Sequence, residues 1–234
     1  AVSKNTANDL QNIWGIKPEK ITAIHSGADA AMRPIRDHKA LAAVRERYNL
    51  PAAKYILQVG SIEPRKNGIL TLAAFNKWRA AYPEESKEYR LLFAGHAGWR
   101  HAQFYKMLKK TPARTRVHFI RNFAAPDLPA IYNLSSLLLY PSFYEGFGLP
   151  PLEAMAAGIP VIAGADSSLG EVVGDAGLLI DPYRVDDMVN AIRELVNDNK
   201  LYKTLRARGL ARTLEFSWDK TAKETLKVLE SVKV

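Results

Sequence analysis

Tyr55-Ile56-Leu57-Gln58-Val59-Gly60-Ser61-Ile62-Glu63-Pro64-Arg65-Lys66-Asn67 decides the fold class of this 234-residue chain. Residues 55–60 form a near-continuous apolar run, the pattern of a strand buried on both faces rather than one. A loop opens at Gly60. Beyond it, Ile69, Leu72, Ala73, Phe75, Asn76 and Trp78 fall on one face of a helix ending near Tyr82-Pro83. The same alternation continues outward. Arg90–Gly95 reads as a strand, followed by a helix around Trp99–Lys110; Val117–Ile120 is a strand and Pro126–Asn133 a helix. Leu137–Tyr140 is a strand, Leu149–Ala157 a helix, Pro160–Ala163 a strand and Gly177–Ile180 the last one. Short strands alternating with helices predict βαβ units and an α/β parallel sheet.

The two ends of the chain depart from this alternation. After Asp181-Pro182, Val185, Met188, Val189, Ile192, Leu195 and Val196 define an amphipathic helix that Tyr202, Leu205 and Leu210 continue. Ser217 caps a final helix with Asp219 in its first turn and Ala222, Leu226, Leu229 and Val232 on its apolar face. Before His38, Thr6–Trp14 reads as a helix, Ile21–Ile24 as a short strand, Ser26–Asp29 as a turn and Met32-Arg33-Pro34 as an extended linker. A boundary is expected near His38, giving segments 1–38, 39–216 and 217–234.

With 47% apolar and 24% charged residues, the composition is that of an ordinary globular domain. Zero cysteine excludes disulfide scaffolds, thiolate metal sites and thiol catalysis, and suits a cytoplasmic protein. The longest apolar runs fall far short of the ~20 residues that span a bilayer. The chain opens at Ala1 inside an expected helix, which reads as a piece of a longer protein. Its net charge of +9 suits a nucleotide, a nucleic acid or an acidic membrane surface, although a solvated basic face explains most such excesses. The basic stretch Arg100–Arg116, interleaved with Phe104, Tyr105, Met107 and Leu108, reads first as an amphipathic cover helix and second as a membrane or nucleic-acid surface.

In an open parallel sheet, ligands bind beyond the carboxyl ends of the strands. Three strand-end loops carry chemistry. In residues 60–67, Arg65 and Lys66 stand side by side before a helix N-terminus, where free N–H groups and the macrodipole already favour phosphate. In residues 145–153, Glu145 and Glu153 flank Gly146-Phe147-Gly148, and Pro150 and Pro151 suit the first turn of a helix. Both carboxylates are placed to accept hydrogen bonds from sugar hydroxyls. Residues 167–177 form a hydroxyl-rich loop with three glycines. No Walker loop, Gly-x-Gly-x-x-Gly, Gly-x-Ser-x-Gly, His-x-x-x-His or Asp-x-Asp occurs.

Together, Val59-Gly60-Ser61 through Asn67, Glu145 through Glu153, and Ser167-Ser168 through Gly177 resemble the donor domain of the retaining, "group 1" GT-B glycosyltransferases. The resemblance covers nearly the whole chain. It implies a Rossmann-like doubly wound parallel sheet, one half of a GT-B fold, with C-terminal helices. It implies that Arg65, Lys66, Gly148 and Leu149 bind the donor diphosphate, and that Glu145, Gly146 and Phe147 contact the transferred sugar. Glu145 would be the catalytic carboxylate. Glu153 would bind the ribose, and Ile120 and Arg121 the base; Arg121 stands where the family usually has glycine.

No metal or cofactor is implied, and the substrate would be a nucleoside diphosphate sugar. Glu63-Pro64-Arg65-Lys66-Asn67 and Phe147-Gly148-Leu149-Pro150-Pro151 resemble those of bacterial polysaccharide mannosyltransferases, which favours GDP-mannose. Segments 1–38 and 217–234 resemble the stub and crossover helix of an N-terminal acceptor domain. That domain would be the main partner, and the full enzyme would work in the cytoplasm at the inner membrane face, with no nucleic acid. The rival readings are a non-catalytic nucleotide-sugar-binding module, a subunit needing a separate acceptor-binding partner, and an epimerase or phosphorylase of the same fold.

Overall fold

Six apolar runs become six parallel strands in the computed structural model, which describes residues 1–231. They are β1 (Lys54–Val59), β2 (Tyr89–Ala94), β3 (Val117–Ile120), β4 (Leu137–Tyr140), β5 (Val161–Gly164) and β6 (Leu178–Ile180). Their order across the sheet is β3-β2-β1-β4-β5-β6, with Ile56 opposite Leu137 where the winding reverses. This is the Rossmann-like α/β sheet expected, and the reversal leaves a crevice between the ends of β1 and β4.

The strand period of two divides the core. Tyr55, Leu57, Leu138 and Tyr140 pack toward one side, together with α2 (His38–Arg47), α6 (Leu128–Asn133), α7 (Leu149–Ala156) and α8 (Leu169–Val173). Ile56, Leu137 and Leu139 pack toward the other, against α3 (Gly68–Ala81), α5 (Ala102–Lys110) and α9 (Val185–Asn197). Trp78, Tyr55, Tyr132 and Tyr140 are among the largest fully buried side chains. Complete burial of a Leu or Phe contributes about 1.5–3 kcal/mol, so the strands are fixed by their own apolar content.

Several elements differ from expectation. Ile21–Ile24 is not a strand. Its backbone bonds are Ile21 N–H to Pro18 C=O (3.0 Å), Ile24 N–H to Ala1 C=O (2.8 Å) and the Ala1 amino group to Thr22 C=O (2.8 Å), which make no ladder. Helix α2 was not expected; Asp37 caps it through Lys39 and Ala40 N–H, but only Val44 of its residues is buried, so its apolar pattern is faint. A short α4 (Pro83–Ser86) fills the turn after α3. The helix after α9 is separate, α10 (Asn199–Thr213), because the Asp198 carboxylate accepts from Lys200 and Leu201 N–H and starts a new first turn. Part of the hydroxyl-rich loop is α8.

At the ends, α1 (Lys4–Asn12) is capped by Ser3, and α11 spans Trp218–Ser231. Val232, expected on the apolar face of α11, lies outside the described residues. The Thr221 hydroxyl donates to His25 C=O (2.5 Å), tying α11 to the segment that leads into α2.

Candidate functional site

The crevice between β1 and β4 gathers the first two loops. Residues Pro64–Lys66 form a 3-10 turn, and Asn67 follows at φ +57°. The buried Asn67 amide donates to Pro141 C=O (3.1 Å) and Pro182 C=O (2.6 Å), and Gln58 donates to Lys66 C=O (2.6 Å). Three strand-end loops are thereby fastened to one residue. Gly95, at φ +151°, lies so close to Gly60 C=O that no side chain fits there.

Arg65, Lys66 and Glu145 converge. Lys66 Nζ lies 2.6 Å from Glu145 Oε1, and Arg65 Nη1 lies 2.6 Å from Glu145 Oε2. Lys66 Nζ also donates to the Tyr140 hydroxyl, which in turn donates to Glu145 Oε1 (2.9 Å). Arg65 further reaches Glu63 (2.8 Å) and Tyr144 C=O (2.9 Å). Lys66 and Glu145 are buried, whereas the Arg65 side chain is 40% exposed. Burial pulls the Lys66 ammonium below its ordinary value against the pull of Glu145. Burial pushes Glu145 up, but Lys66 and Arg65 outweigh it and hold the carboxyl below the ordinary range. Burial, reinforced by Glu145, drives Tyr140 well above its ordinary value, so it stays a donor.

The loop before α7 supplies donors. Gly148 takes φ +110°, and a side chain there would meet Leu169 Cδ2 at 2.8 Å. Pro150 and Pro151 carry no N–H, so Gly148 and Leu149 hold the free amides of this helix start, and neither donates to any acceptor among the described residues. The hydroxyl loop clamps this arrangement. Ser167 accepts from Glu145 N–H (2.9 Å), and the buried Ser168 hydroxyl lies 2.8 Å from both Glu145 C=O and Phe147 C=O. Phe147 turns its ring inward against His25 and Phe216, leaving only its backbone toward the crevice. Gly146 C=O accepts from Thr6 of α1 (3.1 Å).

Glu153 sits one turn inside α7, where the Tyr132 hydroxyl donates to its Oε2 (2.7 Å). Burial raises the Glu153 carboxyl above its ordinary value despite that bond, and Asp29 adds to the rise. At the end of β3, Ile120 C=O accepts from Gly95 N–H (2.8 Å), so it is already engaged. Arg121 folds its guanidinium back over the rings of Tyr105 (5.6 Å) and Phe119 (5.8 Å). Its own backbone N–H and C=O have no partner among the described residues.

Tyr140, Tyr132, Gln58, Asn67 and Ser168 are the parts that sequence reasoning passed over or left unassigned. The two tyrosines look like core residues in a strand and a helix. Their signal was only a hydroxyl at the end of an otherwise apolar run. Among the described residues, no group of three or more His, Asp or Glu is placed to hold a metal ion.

A six-stranded parallel sheet with this reversal, and ionic groups at its strand ends, is a Rossmann-like α/β domain with a charged strand-end crevice. The chain belongs to the family described as glycosyl transferases group 1, which matches residues 43–212. It is 36% identical over 184 residues to the O-antigen chain mannosyltransferase B of Escherichia coli, covering 78% of this chain and 47% of that protein. The chain thus spans about half the length of this relative. Its backbone resembles Anabaena Alr3699/HepE in complex with UDP and glucose (TM-score 0.85, 20% identity, 99% of this chain and 62% of that one). It also resembles WaaG, a glycosyltransferase involved in lipopolysaccharide biosynthesis (TM-score 0.82, 19% identity, 99% and 62%).

Proposed function

We propose that this chain is the donor-binding part of a retaining, metal-independent glycosyltransferase that transfers mannose from GDP-mannose during synthesis of a bacterial polysaccharide. The observation that carries the reading is that Arg65 and Lys66 both pair with Glu145, three and four residues before Gly148 and Leu149, whose amides have no acceptor among the described residues. A diphosphate is the ligand class that matches two cations beside a helix start. Departure of a nucleoside diphosphate leaves negative charge on phosphate, and preorganised cations and amides stabilise it where other enzymes use a metal.

The remaining groups fit the same ligand. Glu153, held by Tyr132, accepts from ribose hydroxyls. Glu145 lies between the diphosphate cations and the place of the sugar, and contacts the sugar near its reacting carbon. The base lies along the free backbone of Arg121. The mannose assignment is supported by the mannosyltransferase relative. The acceptor is held by a separate domain or subunit, and positioning of two reactants can contribute ~7–11 kcal/mol of a barrier.

Calorimetric titration with GDP, UDP, ADP and dTDP and their sugars in EDTA tests the reading. Selective binding of GDP and GDP-mannose is expected, with no transfer by the 234 residues alone. Absence of any nucleotide binding would refute it.

A further inference from the structure

Residues 89–126 contain Arg90, Arg100, Lys106, Lys109, Lys110, Arg114, Arg116 and Arg121, and not one Asp or Glu. The rest of the chain carries 25 Lys and Arg against 24 Asp and Glu, so almost the whole net charge of +9 belongs to this segment. It folds into β2, α5 and β3, and β3 is the outermost strand on its side of the sheet. None of these eight cations makes an ion pair among the described residues.

Their placement is specific. Helix α5 buries Phe104 and half-buries Tyr105, Met107 and Leu108 against the core, while Lys106, Lys109 and Lys110, three and four residues apart, share its exposed side. Arg100, Arg114 and Arg121 are exposed around it. Arg90 and Arg116 are half-buried and anchored on the carbonyls of Thr115 (3.2 Å) and Lys87 (2.6 Å). Just before α5, Trp99 is 57% exposed, and Arg100, at φ +51°, holds its guanidinium 4.9 Å from the indole.

We propose that this edge is a docking surface for a bilayer of anionic phospholipid. Unpaired cations spread over one helix side and its flanking loops match a sheet of phosphodiester headgroups, and an exposed Trp beside Arg suits the headgroup level. A single-stranded nucleic acid would call for successive stacking aromatics, whereas only two rings of residues 89–126, His96 and Trp99, are exposed. The apolar side of α5 is spent on the core, so docking is electrostatic and shallow. Trp99, Arg100 and Arg121 lie at the strand-end rim. Docking through these three residues turns the strand-end side of the sheet, which carries the crevice of β1 and β4, toward the membrane.

Cosedimentation of the chain with vesicles tests it. Binding is expected to phosphatidylglycerol–phosphatidylcholine vesicles, not to phosphatidylcholine alone, and is expected to vanish near 1 M salt, where screening acts within about 3 Å. Each cation near a charged surface changes partitioning roughly fivefold, so K106S/K109S/K110S should weaken it roughly a hundredfold. The charge-matched K220S/K223S/K227S variant on α11 should keep most of the binding, and both variants should bind GDP as the parent does. No binding to anionic vesicles at low salt overturns the proposal. So does equal loss in both triple variants, or tighter binding to single-stranded RNA than to vesicles. Loss of GDP binding by the parent with vesicle binding intact would strike the proposed function instead.

Discussion

Replacing Glu145 by Gln keeps the shape of the side chain and one carbonyl acceptor but removes the carboxylate that forms ion pairs with both Lys66 and Arg65. In the parent, that carboxylate lies 2.6 Å from each cation, and Lys66 is only 9% exposed. Breaking a buried pair costs about 3–5 kcal/mol because the remaining charge is left uncompensated. Arg65 can still use Glu63 and solvent, so the lower end, about 3 kcal/mol, applies. For a domain of this size that is a fall in Tm of roughly 6–12 °C.

The deficit should shrink as pH rises. Lys66 in the folded chain already loses its proton below the ordinary 10.5, and losing Glu145 lowers it further. The unfolded chain then binds more protons than the native one, so stability increases with pH toward 10.5. GDP should restore more stability to E145Q than to the parent, because its diphosphate supplies the missing negative charge without competing with Glu145. Differential scanning fluorimetry with and without GDP, at neutral and mildly alkaline pH, reads all three. An unchanged Tm, or a smaller GDP shift than in the parent, would refute the reasoning.

Arg65→Ala should weaken GDP binding at least about tenfold with little change in Tm, since its side chain is 40% exposed; Lys66→Ala should weaken binding equally and also lower Tm, because Glu145 loses its buried partner. Calorimetry and thermal scans separate the two effects. Tyr132→Phe should weaken GDP binding about tenfold, and more at mildly acid pH. Burial already raises Glu153, and loss of the Tyr132 bond raises it further, so the carboxylate needed for the ribose forms at higher pH and binding recovers as pH rises. Donor binding should be the same in EDTA as in Mg²⁺ or Mn²⁺; a calorimetric requirement for either ion would contradict the cation-based site.

The sheet was legible because each strand is an apolar run between punctuating residues, and burial on both faces needs no partner-specific information. All six strands appear in the expected places, while Ile21–Ile24, apolar but without a neighbouring strand, does not become one. Helix α2 and the break at Asp198 escaped because an Asp cap outweighs a faint or continuous apolar pattern. Arg65, Lys66, Glu145 and Glu153 could be named as candidates from residue type and loop position. Their mutual arrangement could not. That Glu145 binds both cations and that Asn67 fastens three loops depend on residues 74 to 115 positions apart in the chain, and Tyr132 meets Glu153 across 21; only the Tyr140 bond to Glu145 is local, spanning 5. The sequence by itself determined which segments bury and which side chains can ionise. Tertiary structure alone decided which of those charges meet, because β1 and β4 become neighbours only when the winding reverses between them.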